Sequence, residues 1–411
     1  MSIQTDAMNI ATSDLLGVWD VAIVGAGPVG LLLAGQLAKS EVRVVVIEQA
    51  DEPSPVPKAN GIVGHAAVEL AKLGVISGTG LRVVSPPRFQ FGPLGLELGF
   101  GPRNPLHILP IPQRRLEELL ERRATGYGAR MSRGQQVIGF TQDDGGVELE
   151  VRVGEATKLV AARYLVGCDG ARSLVRKQAG IGFPGFTSDE IARIARVTIP
   201  ATQITRVGDD FDIAGVGLVA AMRPNQLRGG GFSIAPAVVL DPGAPDDLYL
   251  ISTREARGEA DQGETVSVDE LRASLHRVLG ADLPFTDATS IRSTVGNSRH
   301  ADAYRAGRVF LAGDAAHIFN AGGSALNVGL QDALELAGRL TAVLRGGASV
   351  GELDGYEAAR RAAGERALRH TRAQAALSRN DDSARALRET FGELLTGRSA
   401  ARRLARLIED A

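Results

Sequence analysis

Two glycine-rich stretches carry the residues best suited to chemistry. The first, Gly25-Ala26-Gly27-Pro28-Val29-Gly30, has the spacing of a loop that receives the pyrophosphate of a dinucleotide. Gly25 ends a strand, Gly27 lets backbone approach the pyrophosphate, Pro28 supplies a helix-compatible φ in the first turn, and Gly30 permits helix–strand contact. Exposed N–H groups and the positive helix end favour an anion there. Glu48 stands 23 positions after Gly25, close to the roughly 20 expected of a carboxylate that bonds ribose hydroxyls. The second stretch, Gly313 to Asp332, reads GDAAHIFNAGGSALNVGLQD, with a carboxylate at each end and His317 between them. A third loop, Tyr164 to Gly170 (YLVGCDG), ends in an Asp-Gly turn followed by Arg172 and Arg176. Each of the latter two could be turn punctuation when read alone, and the first does not distinguish NAD from FAD.

The elements that must position these loops follow from periodicity. DVAIVG (Asp20–Gly25), PVGLLLAGQLAK (Pro28–Lys39) and RVVVIE (Arg43–Glu48) form a βαβ unit. A short helix runs from about His65 to Leu73, and Gln113–Ala124 is helical with Leu116, Leu119 and Leu120 on one face. Alternating patterns predict strands and turns from about Leu81 to Leu109 and from Phe183 to about Arg292, interrupted by a helical VDELRASLHRVLG. ARSLVRKQAG is expected as a helix, GRVFLAGD as a buried strand, and the chain beyond Ser349 as almost entirely helical. The fold class is α/β. It comprises a Rossmann-like nucleotide-binding domain in three pieces (1–80, 110–182 and 296–348), a mostly antiparallel β domain (81–109 and 183–295) and a helical C-terminal region (349–411).

Composition narrows the function. A chain of 411 residues exceeds what one core usually supports. The formal net charge of −2 gives no basic field for nucleic acid or anionic membrane. No apolar run approaches the roughly 20 residues of a membrane span, and the leader carries Asp6 and Asp14 without Lys or Arg, unlike a secretory signal. The expectation is a cytoplasmic protein. The single Cys168 allows neither an intramolecular disulfide nor a multi-cysteine metal site and reads as a packing residue, and no metal is expected.

GAGPVG, YLVGCDGARSLVRKQAG and GRVFLAGDAAH, in that order, resemble the FAD-dependent aromatic hydroxylases of the p-hydroxybenzoate hydroxylase type, the class A flavoprotein monooxygenases. The resemblance runs from about Asp20 to the C-terminus, and the Arg- and Ala-rich tail is most similar to the bacterial aromatic-polyketide hydroxylases. Many of those continue into a thioredoxin-like domain, and the expectation here is a chain that stops at Ala411 without one.

The resemblance implies a GR2-type FAD-binding fold and a set of cofactor contacts. Gly25, Gly27 and Gly30 would hold the FAD pyrophosphate, Glu48 the adenosine ribose, and Lys58, where the family has Arg, the phosphate region. Gln113 would contact the cofactor, and Asp169 would shape the groove and serve NAD(P)H use. Gly313 and Asp314 would meet the ribityl chain, and the backbone of Ala325, Leu326 and Asn327 the flavin pyrimidine edge. NADPH or NADH would reduce FAD and O₂ would give a C4a-hydroperoxide that hydroxylates an aromatic, polycyclic polyketide-like small molecule. A homodimer is one compatible state. Relatives place a proline beside the reactive flavin face and read GGQGLN; this sequence is one residue shorter, lacks the proline and has Ser-Ala for Gln-Gly. That departure makes Asn320 and Ser324 the flavin-face candidates. Baeyer–Villiger or epoxidising chemistry on a similar substrate, or a non-redox FAD- or polyketide-binding scaffold, stay open as alternatives, and no catalytic base stands out among the six histidines.

Overall fold

The structure is a computed structural model and describes residues 17–54, 59–239, 243–258, 266–320 and 324–410. Val18–Val24, Val44–Ile47, Arg130–Ser132, Ala156–Gly167 and Val309–Leu311 pair in parallel, with Val18–Val24 between Val44–Ile47 and Ala156–Gly167. Continuous apolar runs such as VVVI suit strands covered on both faces, and Val44–Ile47 is buried throughout. The Pro28–Lys39 and Gln113–Gly126 helices follow the expected elements, and a long helix, Ser324–Leu344, follows the second glycine-rich stretch. The segment after the Asp-Gly turn is a shorter helix than its sequence suggests, Leu174–Gln178, because Ser173 and Asp169 cap it only there.

The second sheet is antiparallel and six-stranded, in the order Asn225–Leu227, Gly230–Pro236, Leu248–Ala256, Gly185–Thr198, Asp287–His300 and His317–Ile318. Its two faces differ by strand alternation. Arg193 and Thr253, paired in register, point to the Val268–Leu279 helix, where Thr253 Oγ1 lies 2.7 Å from Ser274 Oγ and Arg193 pairs with Glu270 at 2.9 Å. Ile194 and Ser252, the next pair, face the opposite way. The edge strand His317–Ile318 comes from the second glycine-rich stretch, so that stretch ties the two sheets together.

The hairpin Arg88–Phe91/Leu94–Glu97 finds its core with the tail: Phe91, Leu94 and Leu96 pack with Leu377, Ala401, Ala405 and Ile408. The last helix, Arg398–Glu409, is pinned by Glu409, which accepts the His107 N–H at 3.0 Å and lies 2.8 Å from His107 Nδ1. Among the described residues no helix is long and apolar enough to cross a membrane.

Candidate functional site

The first glycine loop is built by close approach. Gly25 adopts φ +105°, and a Cβ there would stand 2.4 Å from the Cys168 carbonyl oxygen. A Cβ on Gly30 would stand 2.1 Å from the Gly25 carbonyl oxygen. Both positions therefore admit only glycine. Gly27 is different: a Cβ there would meet nothing within 4 Å, so this residue faces open space. It is the N-cap of Pro28–Lys39, which has no side-chain cap and no acidic residue in its first turn. Its leading N–H groups are left for an anion. The Glu48 carboxylate accepts from Ala26 N–H at 2.8 Å and from Ala50 N–H at 2.9 Å. It holds the loop and keeps lone pairs on both oxygens for further donors.

The second glycine stretch is clamped onto the first through Val29. A Cβ on Gly313, which has φ +63°, would come within 3.0 Å of Val29 Cγ2, and one on Gly329 within 2.9 Å of the same atom. The turn Gly313–Ala315 exposes Asp314. Beneath it lies a buried charge cluster centred on Asp332. One oxygen accepts the Gly313 N–H at 3.0 Å and lies 2.6 Å from His317 Nε2; the other accepts from Arg360 Nε at 2.7 Å. Asp332 and His317 are wholly inaccessible. Burial pushes the Asp332 carboxyl pKa up, but His317 and Arg360 outweigh it and leave it below the usual carboxylate range. Arg360 also donates to the Val328 carbonyl at 3.1 Å. A helix of the tail thus braces the site.

Other sequence-derived candidates have definite places. Asp169 Oδ2 accepts from Leu174 and Val175 N–H at 2.8 and 3.1 Å, while Oδ1 is buried without a hydrogen-bond partner among the described residues. Gln113 opens its helix, with its side chain turned to Glu117 at 2.8 Å and its N–H bonded to the Ala59 carbonyl at 2.8 Å. Ala325, Leu326 and Asn327 occupy the first turn of Ser324–Leu344, and Asn327 Oδ1 accepts the Val63 N–H at 2.9 Å. Asn320 donates its N–H to Ser298 Oγ at 3.1 Å and lies against Gly296, where a Cβ would collide with its amide. Lys58, Gly322, Gly323 and the side chain of Ser324 lie outside the described residues.

Two cavities of about 430 Å³ each open over the sheet face that bears Ile194 and Ser252, which line both. The inner one is walled by Phe319 and Asn320 from the second glycine stretch and by Gly296 from the sheet. The phenylalanines of the alternating strands do not line it. Phe91 and Phe232 are core residues, and Phe100 is 83% exposed. Sequence patterning did not single out Phe319 or Arg360, and it marked Asp332 only as the carboxylate closing its stretch; the Asp332 bond to Arg360 crosses 28 positions into the tail.

The donors at Gly27, the ribose-type acceptor at Glu48 and the Asp314 turn wedged against Val29 fit an extended dinucleotide, and residues 18–371 match the FAD binding domain family. The chain is 39% identical over 402 residues to the 12-dehydrotetracycline 5-monooxygenase/anhydrotetracycline 6-monooxygenase of Streptomyces rimosus subsp. rimosus, covering 95% of this chain and 76% of the relative. Among solved structures it is similar to CabE, an aromatic hydroxylase from angucycline biosynthesis (TM-score 0.82, 30% identity, 95% of this chain and 76% of that one). It is similar also to the Diels-Alderase PyrE3 of pyrroindomycin biosynthesis (TM-score 0.80, 32% identity, 95% and 80%). Family match, relatives and loop geometry agree: this chain belongs to the FAD-binding flavin-dependent monooxygenases, which take FAD as cofactor and a reduced nicotinamide dinucleotide as co-substrate.

Proposed function

We propose that the protein hydroxylates a fused polycyclic, polyketide-like phenol or quinone that sits in the inner cavity. The observation that carries this reading is the junction at Val29. It brings the anion-receiving loop and the Asp314 turn together, next to a stretch whose Phe319 and Asn320 wall a cavity. FAD, when bound, supplies the activation of O₂ for transfer of one oxygen atom. Gly25, Gly27 and Gly30 would seat its pyrophosphate, Glu48 its ribose and Asp314 its ribityl chain. The first-turn N–H groups at Ala325, Leu326 and Asn327 would face its pyrimidine edge, where a helix N-terminus favours negative charge. Gln113 and Lys58 would flank the same groove, and Asp169, by capping Leu174–Gln178, would shape the wall that the nicotinamide passes. Asn320 and Ser324 would border the reacting ring. The two-unit division of the chain would be 1–80, 110–182 and 296–348 for cofactor and 81–109 and 183–295 for substrate, with 349–411 as the brace.

The similarity to a Diels-Alderase gives the second reading, a non-redox cyclase or scaffold, an observation of its own. Substrate-stimulated NADPH or NADH oxidation, with oxygen-18 from O₂ in a product one oxygen heavier, supports hydroxylation. A flavin-loaded protein that rearranges a polyketide-type polyene with no O₂ consumption sinks it. As a direct check on the loop, Asp314→Ala is expected to lower FAD occupancy of the purified protein at least about ten-fold, the scale of one lost charge-assisted hydrogen bond. Full retention, read as flavin absorbance per protein, would refute the assignment of that turn.

A further inference from the structure

The outer cavity has a chemistry that the hydroxylation of a plain phenol does not need. Its floor is the Ile194 face of the sheet, where register sets Arg292 and Ser252 on either side of Ile194 and Leu250 beside Arg196. Arg196, Arg223 and Arg292 line the cavity, and among the described residues no Asp or Glu does. Arg223 is held from outside by Asp210 at 2.9 Å. Arg196 is half-buried, and its guanidinium makes no hydrogen bond or ion pair among the described residues. A guanidinium drawn partly out of water without a counter-charge is unfavourable unless an anion arrives.

Backbone strain collects at the same cavity. Three non-glycine residues among those described adopt positive φ, and two of them, Met222 (φ 59°) and Ser290 (φ 52°), are lining residues here. Ser290 sits in the irregularity that shifts the register between Ile194 and Arg196. Strained backbone of this kind persists where the surroundings fix it and concentrates at ligand-binding positions.

We infer that the outer cavity receives a carboxylate of the substrate, held by Arg196 at the far end of a fused ring system. The inference rests on the reading of the inner cavity as the seat of the reacting ring. From Gly296, which touches Asn320, to Arg292 is four residues of one strand, or roughly 13 Å at about 3.3 Å per residue. A single phenol cannot span that; three or four fused rings can. Two adjacent chambers of this size, with Ile194 and Ser252 in the lining of both, fall in the range of small-molecule sites. The substrate class is therefore an acidic polycycle, with its acid remote from the oxygenated ring.

The test uses the FAD-loaded protein and two probes, a dihydroxyanthraquinone carboxylic acid and its methyl ester, with binding read by calorimetry and by perturbation of the visible flavin spectrum. The acid should bind at least about ten-fold more tightly than the ester. Arg196→Gln should bring the acid down to the ester's affinity and leave the ester unchanged, and Arg196→Lys should keep part of the preference. An unaltered melting temperature separates lost recognition from a folding defect. Equal binding of acid and ester, failure of both to bind at millimolar concentration, or a preference that survives in Arg196→Gln would overturn the inference. So would displacement of the acid by NADPH but not by NADH, which would assign Arg196 to the co-substrate's phosphate. Binding requires no turnover. An intact acid preference without oxygen transfer would sink the hydroxylase reading and leave the anion subsite in place.

Discussion

Asp332→Asn is expected to destabilise the protein by about 3–5 kcal/mol, the range for breaking a buried ion pair from one side, and to release FAD from the purified protein. The carboxylate neutralises Arg360, lies against His317, and accepts the backbone N–H of Gly313, all within 3.0 Å and away from water. Asn keeps the shape but offers one acceptor oxygen and an NH₂ group, so a donor must face a donor, and the Arg360 guanidinium keeps its charge with no counter-charge beside it. The effect reaches the cofactor because Gly313 is the residue before Asp314 and is itself packed on Val29. A fall in melting temperature together with reduced flavin absorbance per protein is the expected pair of readings. The double variant Asp332→Asn/Arg360→Met should be less damaging than Asp332→Asn alone, because removing both charges leaves none uncompensated. An Asp332→Asn protein that melts with the parent and keeps its flavin would dismiss the brace.

What could be read from sequence follows from how local each feature is. The tight glycine loop and its tie to Glu48 were legible because one βαβ unit contains both, and the Glu48–Ala26 bond spans only 22 positions of that unit. The separate roles of its glycines were legible in part. Gly30 does permit close helix–strand approach, and Gly25 is dictated by the carbonyl of Cys168, the residue that follows a strand more than a hundred residues away. Asp332 stood in plain view at the end of the second stretch, yet its partner Arg360 lies on a tail helix that reads only as Arg- and Ala-rich. Alternation identified the strands of the second sheet but gives no rule for which of two half-apolar faces is core. Phe232 and Arg193 turn to the covering helix, while Ile194 and Arg196 turn to the cavities. The hairpin at 88–97 shows the same limit: its pattern specifies strands, and only the tail's return in space specifies what they pack on.

A second large effect is expected in mild acid. His300 and His370 are 7% and 3% exposed, and the pKa of each is lowered to about 4. Burial is the main cause for both, with His317 and Arg361 adding to it at His300 and Arg369 at His370, while Glu365 and Asp332 pull His300 weakly the other way. Each ring is also hydrogen-bonded inside the protein, His300 Nε2 lying 2.8 Å from the Tyr304 hydroxyl and His370 Nδ1 3.1 Å from Gln374 Nε2. In the unfolded chain both protonate near 6.5, so between about pH 6.5 and 4 the unfolded state binds more protons than the folded one. The stability these neutral rings confer is complete above about pH 6.5 and is lost as pH falls through that window. Two such groups give a slope of at most about 3 kcal/mol per pH unit, adding up to several kcal/mol across the window. Asp332 does not contribute in this window, because its carboxyl titrates below the usual range. Urea unfolding midpoints measured from pH 7 to 4.5 should therefore drop steeply, and the drop should flatten in His300→Gln/His370→Gln. A parent protein whose midpoint stays level across that range would show that both rings take up protons in the folded state and would refute the role given to their burial.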